Sequence, residues 1–385
     1  MPDPEFSTGS RGIRRGAVLT LVFATVLATA AATDCLPRDD GESHRRIDAR
    51  AAGATVASED VERAAAEAMA DGKSPSEAAE EVVSRSGDRW SAVYDKGEYE
   101  EFEKALDGQY TGVGLGARRA GGGLVEVAKV QPGGPADRAG IRVGDRLRTI
   151  DGRDVARRPV TEVVALLRGG ERTTVELGLE RDGREWTERL TRTRLSTETV
   201  TVRRLRDGAV MIKVASFTKG SGARVRDAVR GAPSGAGVLL DLRGNPGGLV
   251  SEAVIAASAF LDGGLVATYD VRGEQQALYA DPGGDTDRPV VALVDAGTMS
   301  AAELVTGALK DRGRAVTVGS RTFGKGSVQM PSPLPDGSVA ELTVGHYRTP
   351  AGHSVDGRGI TPDLVASEGA EQRAQTVLSG LGGTS

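Results

Sequence analysis

Ser300 and Lys325 are the residues of this chain whose types and local settings could do covalent chemistry. Ser300 lies in Asp295-Ala296-Gly297-Thr298-Met299-Ser300-Ala301-Ala302-Glu303, between an apolar run read as a buried strand (289–295) and a run read as a helix (301–311). A serine at that junction fits two roles. It is a helix N-cap, with Glu303 completing a capping box, or a nucleophile presented at the end of a strand. Lys325 lies in Phe323-Gly324-Lys325-Gly326-Ser327-Val328-Gln329. A loop lysine is ordinarily solvated and protonated, and acts as a base only where burial or nearby positive charge lowers its pKa. A phosphate-binding loop is excluded, because no G-x-x-x-x-G-K-[ST] is present and Gly326 follows the lysine. A second apolar strand ends in Asp241-Leu242-Arg243-Gly244-Asn245-Pro246-Gly247-Gly248. Such a turn exposes backbone N–H groups that suit an oxyanion, and equally fits a plain strand-to-helix turn.

The rest of the composition narrows the chemistry. The chain has 385 residues, 39% of them hydrophobic, and a net charge of −5, so two or three packed domains are expected and no basic footprint for nucleic acid exists. Cys35 is the single cysteine, which excludes an intramolecular disulfide and a cysteine-based metal site. Only His44, His346 and His353 are available as imidazoles, so neither a zinc site nor a Ser–His pairing is well supplied. No metal or cofactor is implied. Arg11, Arg14 and Arg15 precede an apolar run from Gly16 to Ala32 that ends in small residues. This pattern predicts export, by a cleaved signal peptide or an uncleaved membrane anchor over residues 1–33. The bulk of the chain is then released or faces outward at the cell envelope, and membrane contact is confined to residues 16–32.

Residues 34–55 are polar and aperiodic and read as a linker. Two short helices are predicted within 59–84, with Ser74, Pro75 and Glu77 as a start signal, and a further helix over 96–106. These make an N-terminal helical segment, 56–107. A β-rich module is predicted over 108–195, with strands at 124–130, 173–181 and 184–192 and a helix at 159–167. From 196 to 368 strands and helices alternate, and the continuous apolar strand 237–242 is of the buried parallel kind. The polar residues 369–385 read as a frayed tail.

The β-rich module resembles a PDZ domain of the circularly arranged bacterial type. The matching residues are Gly134-Pro135-Ala136, Ala139-Gly140-Ile141, Gly144-Asp145 and Ile150-Asp151-Gly152. The resemblance implies that a peptide adds as a strand while N–H groups of Gly112, Val113, Gly114, Leu115 and Gly116 capture its terminal carboxylate. The same glycines also fit a tight bend.

Residues 56–366 as a whole resemble the carboxy-terminal processing (tail-specific) peptidases, the S41 family of serine peptidases. The resemblance rests on Ser-Ala-Ala-Glu at 300–303, Phe-Gly-Lys-Gly at 323–326, Gln329, the Asp-Leu-Arg-Gly-Asn-Pro-Gly-Gly-Leu segment 241–249, Tyr347 to Gly352, Gly359 to Asp363, and the upstream segment 88–106. It implies a mixed-sheet α/β peptidase core of the crotonase or Clp-like kind, with a PDZ domain inserted after the N-terminal helical segment. It implies a Ser300–Lys325 dyad, with Gln329 orienting the lysine by a hydrogen bond. Ala301 and Gly247 are the implied oxyanion donors, and Asp241, Arg243 and Glu303 the implied supports. Its implied partners are protein or peptide substrates with exposed apolar C-termini, and homo-oligomerisation is left open. The competing reading, a silent PDZ-bearing scaffold, predicts substitution at Ser300, Lys325 or Gln329, and none is substituted. The glycine-rich segment 281–287 is expected near the peptide groove.

Overall fold

The structure, a computed structural model, describes residues 56–382 apart from 207, 272 and 273. The leader and linker expectations, on residues 1–55, lie outside the described residues. Among those described, no helix is long and apolar enough to cross a membrane.

The chain opens with α1 (Ser58–Ala70) and α2 (Pro75–Ser86). Pro75 follows the N-cap Ser74, whose hydroxyl accepts from Glu77 N–H, so the start predicted from sequence forms. Then come β1 (Ala92–Tyr94) and α3 (Lys96–Leu106), the latter closed by a capping box between Asp95 and Glu98. The β-rich module follows, built from β2 (Gln109–Gly112), β3 (Leu115–Arg119), β4 (Val125–Val130), α4 (Pro135–Arg138), β5 (Arg146–Ile150), β6 (Arg153–Asp154), α5 (Val160–Leu167), β7 (Thr174–Arg181), β8 (Arg184–Thr191) and β9 (Thr193–Ser196). Its main sheet is antiparallel in the order β3-β4-β5-β7-β8, and β2 pairs with β9 so that the two chain ends of the module meet. Val125, Val127, Leu147, Ile150, Leu177 and Val163 form its own core.

Two sheets make the remainder. The first holds β10 (Val200–Arg204), β11 (Val210–Val214), β12 (Val238–Asp241), β15 (Val290–Val294), β16 (Val316–Gly319) and β19 (Leu364–Val365), side by side in that order, with β10 antiparallel and the others parallel. Helices α6 (Ser221–Arg230), α7 (Val250–Ser258) and α8 (Ala301–Asp311) connect its strands. These helices cover one face, where Leu240, Ala292 and Val294 are buried with Val225, Ala257 and Val305. The final helix α9 (Ala370–Gly382) covers the other, over Leu239, Leu293 and Val318. Burial on both faces is why β12 and β15 read as unbroken apolar runs. The second sheet joins β1, β13 (Leu265–Val271), β14 (Glu274–Tyr279), β17 (Ser327–Pro333) and β18 (Val339–Arg348), with β18 pairing β1, β13 and β17. Helices α1 and α2 pack on it through Val61, Ala65, Ala79 and Val83 against Leu334, Ala340 and Leu342.

Two expectations are corrected. Over its described residues, 370–382, the tail is not frayed: Ala374 and Leu378, one helical turn apart, are buried and pin α9 to the sheet. The segment 281–287 is not beside the Ser300 turn. Asp285 N–H bonds Ala259 O and Gly283 N–H bonds Asp262, so the loop precedes β15 at the opposite end of that strand from Ser300.

Candidate active site

Parallel strands β12 and β15 lie side by side and deliver their carboxyl ends to the same edge of the sheet, where α/β proteins build sites. The two loops that leave them are interlocked. Asp295 accepts from the N–H groups of Gly244 and Gly297, at 2.9 Å each, and Thr298 Oγ1 donates to Leu242 O. Met299 N–H donates to Asn245 O, while Asn245 Nδ2 reaches Val214 O on β11.

Ser300 caps this edge with φ 50° and ψ −120°, a conformation that L-residues avoid at a cost of about 1–3 kcal/mol. The hydroxyl makes no cap bond: the Glu303 N–H goes to the Ser300 carbonyl oxygen instead, at 2.8 Å. So the N-cap reading holds for the backbone and leaves the side chain uncommitted. Tyr347 Oη donates to the same carbonyl at 3.0 Å and braces the turn from β18.

Glu303 is more than a cap. It is fully buried, and its carboxylate accepts from Ser300 N–H (3.0 Å), Gly324 N–H (2.7 Å), Lys325 N–H (2.9 Å) and the Thr322 hydroxyl. Burial pushes this carboxyl above the usual range, and the four donated bonds pull it back. One carboxylate thus ties the serine turn to the lysine loop. Gly324 lets that loop lie against residues 357–359, where a Cβ would stand 2.8 Å from Gly359 N.

Lys325 is only 7% exposed, and burial lowers its pKa to about 8. Glu341, Asp88 and Asp356 oppose that shift by their charge, and Arg89 adds to it. Its Nζ stands 4.7 Å from the ring centroid of Trp90. Glu341 is itself raised to about 7, by burial first, with Lys325 pulling the other way. Gln329 is fixed by donating from Nε2 to Ser327 Oγ (2.8 Å) and Thr343 Oγ1 (3.2 Å), which leaves its Oε1 as an acceptor.

Gly247 stands against the serine: a Cβ there would lie 2.9 Å from Ser300 Cβ and 3.0 Å from Met299 O, and its φ is +101°. The expectation that Gly247 N–H serves as oxyanion donor is corrected, because that N–H is spent on Asn245 Oδ1 at 2.9 Å. Among the described residues the N–H groups of Ala301 and Gly248 have no protein acceptor. Gly247→Ala is expected to displace the serine turn and lower kcat/KM roughly a hundredfold, as measured on a peptide substrate. Unchanged kinetics would mean the close approach has no bearing on Ser300.

Asp241 and Arg243 form the expected ion pair, bidentate at 2.8 and 2.7 Å, which lowers the Asp241 pKa and raises that of Arg243. Arg243 also reaches Glu371 on α9 at 3.3 Å, so the pair fastens the strand end to the last helix. In the β-rich module Gly112, Val113, Gly114 and Leu115 line a cavity of about 390 Å³ with Val164 and Leu167 of α5.

The sequence reading gave no site role to four neighbours, Trp90, Glu341, Thr343 and Tyr347, although Trp90 and Tyr347 fall in segments that carry the resemblance. Glu341 and Thr343 occupy the polar positions of a strand whose alternation suggests a wet face. That face is the site.

Residues 209–366 match the family model described as peptidase family S41, and residues 126–181 match that of the PDZ domain. The carboxy-terminal processing protease CtpA of Bacillus subtilis (strain 168) is 31% identical over 293 residues, which is 74% of this chain and 62% of that protein. The solved photosystem II D1 C-terminal processing protease is 30% identical with a TM-score of 0.52, over 80% of this chain and 86% of that one. The chain spans 62%, 60% and 58% of the length of three curated relatives it matches. On these matches, and on a fold that carries them in the same order, the chain belongs to peptidase family S41.

Proposed function

We propose that this chain is a serine endopeptidase that takes hold of the C-terminal tail of a protein substrate in its PDZ module and cleaves with Ser300 as nucleophile and Lys325 as base. The observation that carries the reading is a buried lysine, lowered to about 8, on a loop tied by Glu303 to the strained turn that holds Ser300. A lysine so placed is neutral often enough near pH 8 to accept a proton. Gln329 orients the lysine, and Ala301 N–H and Gly248 N–H receive the oxyanion. In the PDZ module, the cavity between the Gly112–Leu115 loop and α5 suits strand addition of an apolar tail. The run from Gly16 to Ala32 supports export of the chain to the cell envelope or beyond.

The test is digestion of an unfolded reporter with an apolar, free C-terminus by the full chain and its Ser300→Ala variant. Cleavage by the wild type only is expected, slowed when the reporter's terminal carboxyl is amidated. Equal cleavage by both proteins would sink the nucleophile, and indifference to amidation would sink tail capture.

A further inference from the structure

The ring that faces Lys325 comes from the other end of the sequence. Trp90 lies in the turn between α2 and β1, upstream of the whole PDZ module, and its centroid is 4.7 Å from Lys325 Nζ, within the ~6 Å reach of a cation–π contact. The turn is built to hold that ring still. Trp90 N–H donates to Asp88 Oδ1 at 2.9 Å, and Ser91 Oγ donates to the other oxygen of the same carboxylate. Ser91 Oγ in turn accepts from Thr343 N–H at 2.9 Å, beside the Thr343 hydroxyl that fixes Gln329. Ala92 pairs with Glu341, and Phe323 meets the ring edge-on at 5.9 Å. The indole N–H is buried and has no acceptor among the described residues. A tryptophan kept there with its N–H unsatisfied contributes through its face and its bulk.

We infer that Trp90 is the positioning residue for Lys325, holding the ammonium that forms when the lysine takes the serine proton. This rests on the dyad reading above. In the acylation step the Ser300 O–H bond breaks as the Oγ–carbon bond forms, and the carbonyl π pair moves onto oxygen. The proton passes to Nζ, which becomes an ammonium against the indole face, and is later given to the departing amine. The ring interacts with the charged lysine and not with the neutral one, so its attraction grows as the proton arrives. Its bulk acts in the opposite sense on the resting enzyme by excluding water. The other charges facing Nζ are Glu341 on β18, Asp88 and Arg89 on the turn, and Asp356 in the loop before β19; Arg89 also sits 4.6 Å from the same ring.

The test is the pH profile of kcat and kcat/KM for Trp90→Leu, which keeps apolar bulk and removes the π face, beside Trp90→Phe, which keeps a weaker face. Trp90→Leu is expected to lower kcat roughly tenfold with KM little changed, and to move the acid limb to lower pH, since the charged lysine has lost its support. Trp90→Phe is expected to fall between it and the wild type, and remains informative if the leucine variant folds poorly. A kcat and acid limb identical to wild type in both variants would overturn the inference, as would a loss of activity explained wholly by a lower folded fraction with the limb unmoved. Lys325→Arg separates the two layers. If it keeps activity, the dyad reading fails; if it is inactive while both Trp90 variants match wild type, only the role of Trp90 fails.

Discussion

Lys325→Arg is expected to lower kcat/KM at least roughly a thousandfold, as far as Lys325→Ala does. The two substitutions differ in everything except the property the proposal needs. Arginine keeps the positive charge, most of the length and the ability to lie on the Trp90 face, but it does not lose its proton in a protein. A lysine kept for charge or packing would tolerate the exchange. A base would not. Combining either change with Ser300→Ala should cost little beyond the single losses, because groups that act as one unit are lost together.

The pH dependence follows with a definite sign. Burial holds Lys325 at about 8 against the ordinary 10.5, so the competent neutral form is present above pH 8 and is lost as the pH falls through that value. Activity is expected to drop tenfold per pH unit on the acid side, to roughly one hundredth of its plateau by about pH 6. Glu341, raised to about 7, titrates next to it, so the acid limb belongs to the pair. Glu341→Gln removes the negative charge that favours the ammonium, and its limb should move to lower pH. A rate that stays flat from pH 6 to 9, in wild type measured on one substrate, would rule out a lysine base with this pKa.

How much of this was legible depended on sequence distance. Helix α8 reads correctly from Ala301 to Asp311, because its periodicity and cap are local. The serine, the lysine and the glycine turn announce themselves by residue type. Their physical relation does not. Glu303 reads as a cap because three of its four donors lie about twenty residues downstream, in a loop whose approach depends on the folding of β16 and β19. Trp90 is brought to the site by the pairing of β1 with β18, across the inserted PDZ module, and Glu341 by the pairing of β18 with β17. Gly247 was assigned an oxyanion role that its neighbour Asn245 forecloses, a competition visible only once the Asn245 side chain has a direction. The last helix was missed for a simpler reason: two buried residues one turn apart, Ala374 and Leu378, are enough to dock a segment that is otherwise polar.

Glu303→Ala should be the most destabilising single change in the site, by about 4 kcal/mol or more. A capping glutamate on a solvated helix end is worth about 1 kcal/mol, and that is the figure to beat. Here the carboxylate is fully buried and serves the Ser300, Gly324 and Lys325 N–H groups and the Thr322 hydroxyl. Removing it leaves these donors in a site closed to bulk water, and each unpaired buried donor costs ~1–3 kcal/mol. The costs do not simply add, because the lysine loop can relax away from the serine turn. That relaxation is itself the second effect. With the common acceptor gone, nothing equivalent holds Lys325 N–H at the turn, so kcat/KM should fall at least roughly a hundredfold in the fraction of protein that remains folded. Glu303→Gln keeps one carbonyl oxygen but turns an N–H₂ group toward two of the four donors, since each carboxylate oxygen accepts from two, and should lie between alanine and wild type in both measures. Urea denaturation followed by tryptophan fluorescence gives the first quantity, and initial rates well below the unfolding transition give the second. A stability loss near 1 kcal/mol with activity preserved would reduce Glu303 to a helix cap, and the serine turn and lysine loop would then have to be held together by the Phe323–Thr298 backbone bond and by Tyr347, which bonds both Ser300 O and Gly326 O.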